Sequence, residues 1–131
     1  MVAGYDLDDT LADVNYELAG QIGLANVFSR AGINYRPTED FVVITARPHD
    51  RQEYRDATRD WLNENFGFFQ GIYYVSGTES EIVAKKAEKI RTLNLDSFSD
   101  NNVTILGLLK KELGARVPLY RVYADGRRER Y

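Results

Sequence analysis

Two carboxylates, Asp6 and Asp8, follow the short apolar stretch Met1-Val2-Ala3-Gly4-Tyr5 at i, i+2 spacing. On a regular strand, residues two apart share a face. Two anions on one face repel, so such a pair needs compensation. A hard divalent cation that takes oxygen ligands is the simplest form of it. The bland reading of an isolated Asp-x-Asp is an acidic turn that caps the next helix. Other groups with useful chemistry also stand where apolar runs stop. Thr45 follows Phe41-Val42-Val43-Ile44, and Asp100 follows Leu95 to Ser99, with Lys85 and Lys86 between them. The chain has no cysteine, which removes disulfides, thiolate metal sites and cysteine nucleophiles. His49 is the single histidine, so no site can rest on several. An enzyme of this composition would work with carboxylates, hydroxyls, Lys, Arg and a metal bound through oxygen.

The elements that must position these groups alternate between strands and helices. Met1 to Asp6 reads as a buried strand running into a loop. Val14, Leu18, Ile22 and Ala25 fit one helix over about Val14 to Ala31, with Gly32 at its C′ position and Gly20 and Gly23 weakening it. Phe41 to Ile44 is a continuous apolar run, as in a strand covered on both faces. Pro48 suits the first turn of a helix that carries Tyr54, Thr58, Trp61 and Leu62 on one side. Ile72 to Val75 predicts a third strand. Glu79 to Leu93 predicts a helix with Ile82, Ala87, Ile90 and Leu93 inward. Leu95 to Ser99 predicts a fourth strand. Val103, Leu106, Leu109 and Leu113 mark a last helix stopped by Gly114. Arg116 to Tyr131 reads as a strand, an Asp125-Gly126 turn and a charged end.

This order argues for an α/β fold: a three-layer, Rossmann-like parallel sheet with helices on both faces. It predicts a single domain over 1–131, with a core over 1–113 and a C-terminal strand or hairpin extension over 114–131. In such sheets, sites form beyond the carboxyl ends of the strands. Asp6, Thr45 and Asp100 would meet there. The length of 131 residues suits one domain, and 44% hydrophobic with 28% charged residues is an ordinary globular balance. A net charge of -3 gives no overall basic field. No run approaches the ~18 apolar residues of a membrane span. The N-terminus meets acidic residues at once and does not read as a signal peptide. The expectation is a cytoplasmic protein that engages no membrane.

Asp6-Leu7-Asp8-Asp9-Thr10-Leu11 after an apolar strand resembles the first motif of the haloacid dehalogenase superfamily. Three more stretches resemble its other motifs, in order: Ile44-Thr45-Ala46-Arg47-Pro48, Lys86-Ala87-Glu88, and Ser97-Phe98-Ser99-Asp100-Asn101-Asn102. The resemblance covers about Met1 to Leu113. It implies a HAD-like fold and a phosphatase mechanism. Asp6 would attack phosphorus and become an aspartyl-phosphate. Asp8 would protonate the leaving oxygen and then activate water. Thr45 would hydrogen-bond a phosphoryl oxygen, and Lys86 would hold the nucleophile and neutralise charge. Thr10, Ala46 and Arg47 would contact substrate. Asp6, Asp100 and Asp8, the last through its backbone carbonyl, would hold Mg²⁺, which an anionic nucleophile needs in order to approach an anionic phosphate. Lys85 competes with Lys86 for the motif position. Thr45 has a bland reading as a strand residue, and Asp100 as the cap of the last helix. The superfamily often has a second aspartate where this chain has Asn101, which carries no charge and would lower metal affinity.

The segments between motifs leave no room for a cap domain. An uncovered site suits large phosphorylated substrates, such as nucleic-acid ends, and also small ones closed in by a partner subunit. Arg47, Arg51, Arg55 and Arg59 recur at i, i+4 spacing. They read as a phosphate track leading to Thr45, or as a solvated face neutralised by Asp50, Glu53, Asp56 and Asp60. Arg127, Arg128 and Arg130 pose the same choice. Thr-Ala-Arg-Pro with spaced arginines and Trp61-Leu62 is similar to the phosphatase part of polynucleotide kinase-phosphatases, which points to 3′-phosphates. No Gly-x-x-x-x-Gly-Lys loop is present, so kinase activity is not expected. Two other readings stand beside the phosphatase. One is a non-catalytic member that binds phosphate or Mg²⁺ and acts through a partner. The other is a receiver-type domain, whose phosphate acceptor would sit on a later strand. A dehalogenase would not need Asp8 and would usually need a cap.

Overall fold

A computed structural model describes residues 1–131. In chain order the elements are β1 (Ala3–Tyr5), β2 (Ala12–Asp13), α1 (Ala19–Ile22), α2 (Leu24–Ser29), β3 (Gly32–Ile33), β4 (Phe41–Thr45) and α3 (Gln52–Asn65). They continue with β5 (Phe69–Tyr74), α4 (Glu79–Thr92), β6 (Phe98–Asp100), α5 (Val103–Leu113), β7 (Leu119–Val122) and β8 (Arg128–Arg130). Six strands form one sheet in the order β5-β4-β1-β6-β7-β8. All neighbours are parallel except β7 and β8, which are antiparallel. β2 and β3 make a separate antiparallel pair.

The β4 run is buried at every residue, and its alternation splits the core in two. Phe41 and Val43 join Ala3 and Tyr5 of β1 on one face, against Val27, Phe28, Trp61 and Leu62 of α2 and α3. Val42 and Ile44 turn to the other face. There they meet Val83, Ala87 and Ile90 of α4, and Leu106 and Leu109 of α5. Helices thus cover both faces of a mostly parallel sheet, as in a Rossmann-like architecture. Each fully buried large apolar side chain stabilises this packing by about 1.5–3 kcal/mol. No helix is long and apolar enough to cross a membrane.

Several elements differ from the sequence expectation. The single helix over Val14 to Ala31 is a 3₁₀ turn at Tyr16–Leu18 followed by α1 and α2. Gly23, at φ 83°, separates the two helices in a conformation that residues with a Cβ avoid. Gly32 lies in β3 rather than behind a helix, because α2 already ends at Ser29. Pro48 stands ahead of α3, which starts only at Gln52. Val103 opens α5 but is exposed. The sheet also continues past Leu113. β7 pairs in parallel with β6 and β8 antiparallel with β7, so the C-terminal strand and hairpin extend the main sheet.

The turn into β8 is tied to the site by one glycine. Gly126 has φ 83°, and a Cβ there would come 2.7 Å from the Asn34 carbonyl oxygen. The Asn34 amide donates to the carbonyls of Thr10 at 3.1 Å and Tyr123 at 3.0 Å, joining the acidic loop to the hairpin. Gly126→Ala is expected to lower stability by about 1–3 kcal/mol in urea denaturation. An unchanged midpoint would mean that the turn moves freely.

Candidate active site

Asp6 leaves β1 with its amide on the Ser99 carbonyl at 2.9 Å, which seats it beside β6. Thr45 ends β4 and Asp100 ends β6, so the three lie along one sheet edge. The chain leaves β1 first for one side of the sheet and later for the other, which makes this edge a topological switch point.

Lys86 joins the two carboxylates. Its Nζ donates to Asp6 Oδ1 at 3.1 Å and to Asp100 Oδ2 at 3.0 Å. Lys85 points elsewhere and donates to the Ser76 carbonyl at 2.6 Å. One step along an α-helix turns the side chain by about 100°, which separates the two lysines. Lys86 is only 3% exposed. Burial alone would depress its pKa, but the Asp6 and Asp100 carboxylates outweigh burial and hold it well above the usual lysine range. Asp6 is pushed up to about 7 by burial and by the Asp100 charge, against the pull of Lys86. Its side chain keeps 14% exposure, so the carboxylate is open on one side.

Thr10 and Asn101 hold the other oxygen of Asp6. The Thr10 hydroxyl donates to Asp6 Oδ2 at 3.3 Å. Thr10, expected at the substrate, is fully buried, with its hydroxyl turned to the Asp6 carboxylate. Four oxygens face one terminal atom of the Asn101 amide. Carboxylate and carbonyl oxygens only accept, so that atom is assigned as the nitrogen. It lies 3.2 Å from Asp6 Oδ2, 3.2 Å from Asp100 Oδ1, 3.2 Å from Thr10 Oγ1 and 3.3 Å from the Asp8 carbonyl. The cap of α5 is Asn102, which accepts from the amides of Thr104 and Ile105. Asp100 does not cap that helix; its Oδ1 accepts from the Asn102 amide at 3.0 Å.

The Asp8 carboxylate turns to a different set of partners. Arg47 pairs with Asp8 Oδ1 through Nη2 and through Nε, the latter at 3.0 Å. The Tyr16 hydroxyl donates to Asp8 Oδ2. Burial and the Asp8 charge raise the Tyr16 pKa, so it stays a proton donor. Arg47 also donates to Thr58 Oγ1 at 3.1 Å and lies 4.0 Å from the centre of the Phe28 ring. Its side chain has no exposure at all. Arg47 was expected at the phosphate; instead it is enclosed and spent on Asp8. Tyr16 and Thr58 carry no sequence signal for this role, because only folding brings them to Arg47.

Thr45 is buried, and its Oγ1 accepts from the Arg47 amide at 3.1 Å. Its own proton has no protein acceptor. Ala46 is exposed and lines a cavity of about 310 Å³ together with Asp6, Glu79, Lys86, Asp100 and Asn102. The arginine track dissolves into local pairs. Arg51 meets Glu53 at 3.5 Å, and Arg59 meets Asp56 and Asp60, each at 3.3 Å. Arg55 donates to the His49 carbonyl and to Gln52. Near the C-terminus, Arg127 meets Glu129 at 3.3 Å, and Arg128 lies over the Tyr120 ring.

Asp6 Oδ2, Asp100 Oδ1 and the Asp8 carbonyl converge on one point, the place of the Asn101 nitrogen. An all-oxygen donor set of two carboxylates and a carbonyl fits a hard cation and leaves positions for water and substrate. No three His, Asp or Glu side chains gather to hold a metal anywhere in the chain. The Asp8 side chain is therefore not a ligand candidate, and only its backbone carbonyl is.

No family model, no curated protein and no solved structure matches the chain.

Proposed function

We propose that the chain is a Mg²⁺-dependent phosphomonoesterase of the haloacid dehalogenase type, with Asp6 as its nucleophile. The observation that carries this reading is the Asp6 carboxylate. Lys86 grips one of its oxygens, Thr10 and Asn101 grip the other, and it lies on an open cavity that Ala46, Lys86 and Asp100 also line. A carboxylate fixed at both oxygens yet exposed on one side is oriented for attack.

In the first step an Asp6 oxygen bonds to phosphorus as the ester P–O bond breaks. To give the proton that the leaving oxygen needs, Asp8 must enter this step protonated, a state other than the anion that Arg47 and Tyr16 hold in this structure. In the second step Asp8 takes a proton from the water that hydrolyses the aspartyl-phosphate. Lys86 balances the charge that gathers on Asp6 and the phosphoryl group, and Thr45 donates its free proton to a phosphoryl oxygen. Mg²⁺ held by Asp6, Asp100 and the Asp8 carbonyl would offset the repulsion between nucleophile and phosphate. Arg47 and Tyr16 position Asp8 rather than bind substrate. The site has no cover, so a small phosphate ester or a nucleic-acid 3′-phosphate fits the reading.

Asn101 favours one alternative: a non-catalytic phosphate- or Mg²⁺-binding protein that acts through a partner. The deciding experiment is phosphate release from an aryl phosphate and from a 3′-phosphorylated oligonucleotide, with and without Mg²⁺. Mg²⁺-dependent turnover of either is expected. Silence on both, with Mg²⁺ shown to bind, would select the non-catalytic reading.

A further inference from the structure

We infer that Asn101 is a built-in competitor for the cation, so that the site loads only when Mg²⁺ displaces its amide. The inference rests on the cation part of the function proposed above. Its ground is geometric. One amide nitrogen stands at the point where Asp6 Oδ2, Asp100 Oδ1 and the Asp8 carbonyl converge, at 3.2, 3.2 and 3.3 Å. Those are the oxygens that a cation would need.

A buried carboxylate oxygen without a donor is costly. Asp100 is almost wholly buried, and apart from the Asn102 amide its Oδ1 has the Asn101 nitrogen as its donor. The amide therefore satisfies the metal-free site. Its N–H groups bring partial positive charge to the place where a full charge would go. A cation must break these bonds before it makes its own, and the cost subtracts from its affinity. An aspartate at this position could not plug the site. It would add a third negative charge and hold the cation more firmly. An amide at this position, where a carboxylate would load the site firmly, thus makes loading conditional.

The test uses the full chain and reads binding and melting rather than turnover. Mg²⁺ binding is measured by calorimetry for the wild type, Asn101→Ala, Asn101→Asp and Asp100→Asn. Asn101→Ala is expected to bind Mg²⁺ about tenfold more tightly than the wild type, since the competing hydrogen bonds are gone. Asn101→Asp should bind more tightly still, and Asp100→Asn should lose binding. In chelator, Asn101→Ala should melt below the wild type, and the gap should close as Mg²⁺ is added. If Asn101→Ala binds equally or more weakly while Asp100→Asn loses binding, Asn101 supports the ion and the inference falls alone. If no variant binds Mg²⁺, including Asn101→Asp, the cation reading falls and takes the inference with it.

Discussion

Asp6→Asn is expected to lose at least about four orders of magnitude in phosphate release and yet to make the metal-free chain more stable at neutral pH. The rate falls because the amide cannot form the phosphoryl bond, and neither neighbouring aspartate takes its place. Asp8 is engaged by Arg47 and Tyr16, and Asp100 by Lys86. The stability rises because one lysine faces two buried carboxylates. The folded protein pushes the Asp6 pKa from 3.8 to about 7, so it binds that proton more tightly than the unfolded chain does. The Asp6 contribution is therefore fully present below about pH 3.8 and is lost as pH rises towards 7. Asparagine removes that dependence. Chemical denaturation in chelator between pH 4.5 and 7.5 should show the stability difference, wild type minus variant, falling with pH. A variant that is less stable than wild type at pH 7 would contradict the charge argument. Mg²⁺ should reverse the order, since it stabilises only the protein that keeps both ligand carboxylates.

The sequence places the ends of the sheet's central strands to within a residue: β4 ends at Thr45, and β6 is Phe98–Asp100 where Leu95 to Ser99 is expected. Phe41 to Thr45 is legible because it is apolar without a break, and a segment buried on both faces has no alternation to lose. Asp6, Thr45 and Asp100 follow from that, and Gly114 stops α5 at φ 64° as its position suggests. What one chain cannot show is which partner a side chain finds across the fold. Arg47 has the spacing of a phosphate ligand, but its neighbours Thr58 and Phe28 belong to other elements, and together they enclose it. Thr10 has the look of a loop hydroxyl until the Asn34 amide and the hairpin close over it. β7 is four residues long with half-buried positions, so its place beside β6 has no periodic signature. The broken α1–α2 segment needs Gly23 at a positive φ, which a count of apolar positions does not reveal.

Asp8→Ala is expected to change stability in the opposite direction from Asp6→Asn, although the two acids are neighbours but one in the chain. The Arg47 guanidinium is completely enclosed, and Asp8 is its only carboxylate partner. Thr58 and the Phe28 ring remain when Asp8 is cut back, but neither carries a countercharge. Removing one partner of a buried pair leaves an uncompensated ion, and the expected loss is about 3–5 kcal/mol in urea denaturation. Arg47→Met in the same background should restore part of it, because an unbranched apolar chain can lie on Phe28 without a charge to satisfy. The double variant would then be more stable than the sum of the two single losses, which a mutant cycle measures directly. Additive losses would mean that Asp8 and Arg47 act on stability independently. The same variant separates structure from chemistry in turnover. An acid matters most where the leaving oxygen is a poor leaving group, so Asp8→Ala should lose far more activity on an alkyl 3′-phosphate than on an aryl phosphate. Equal losses on both would assign Asp8 to holding Arg47 and Tyr16 in place and leave the proton to another donor.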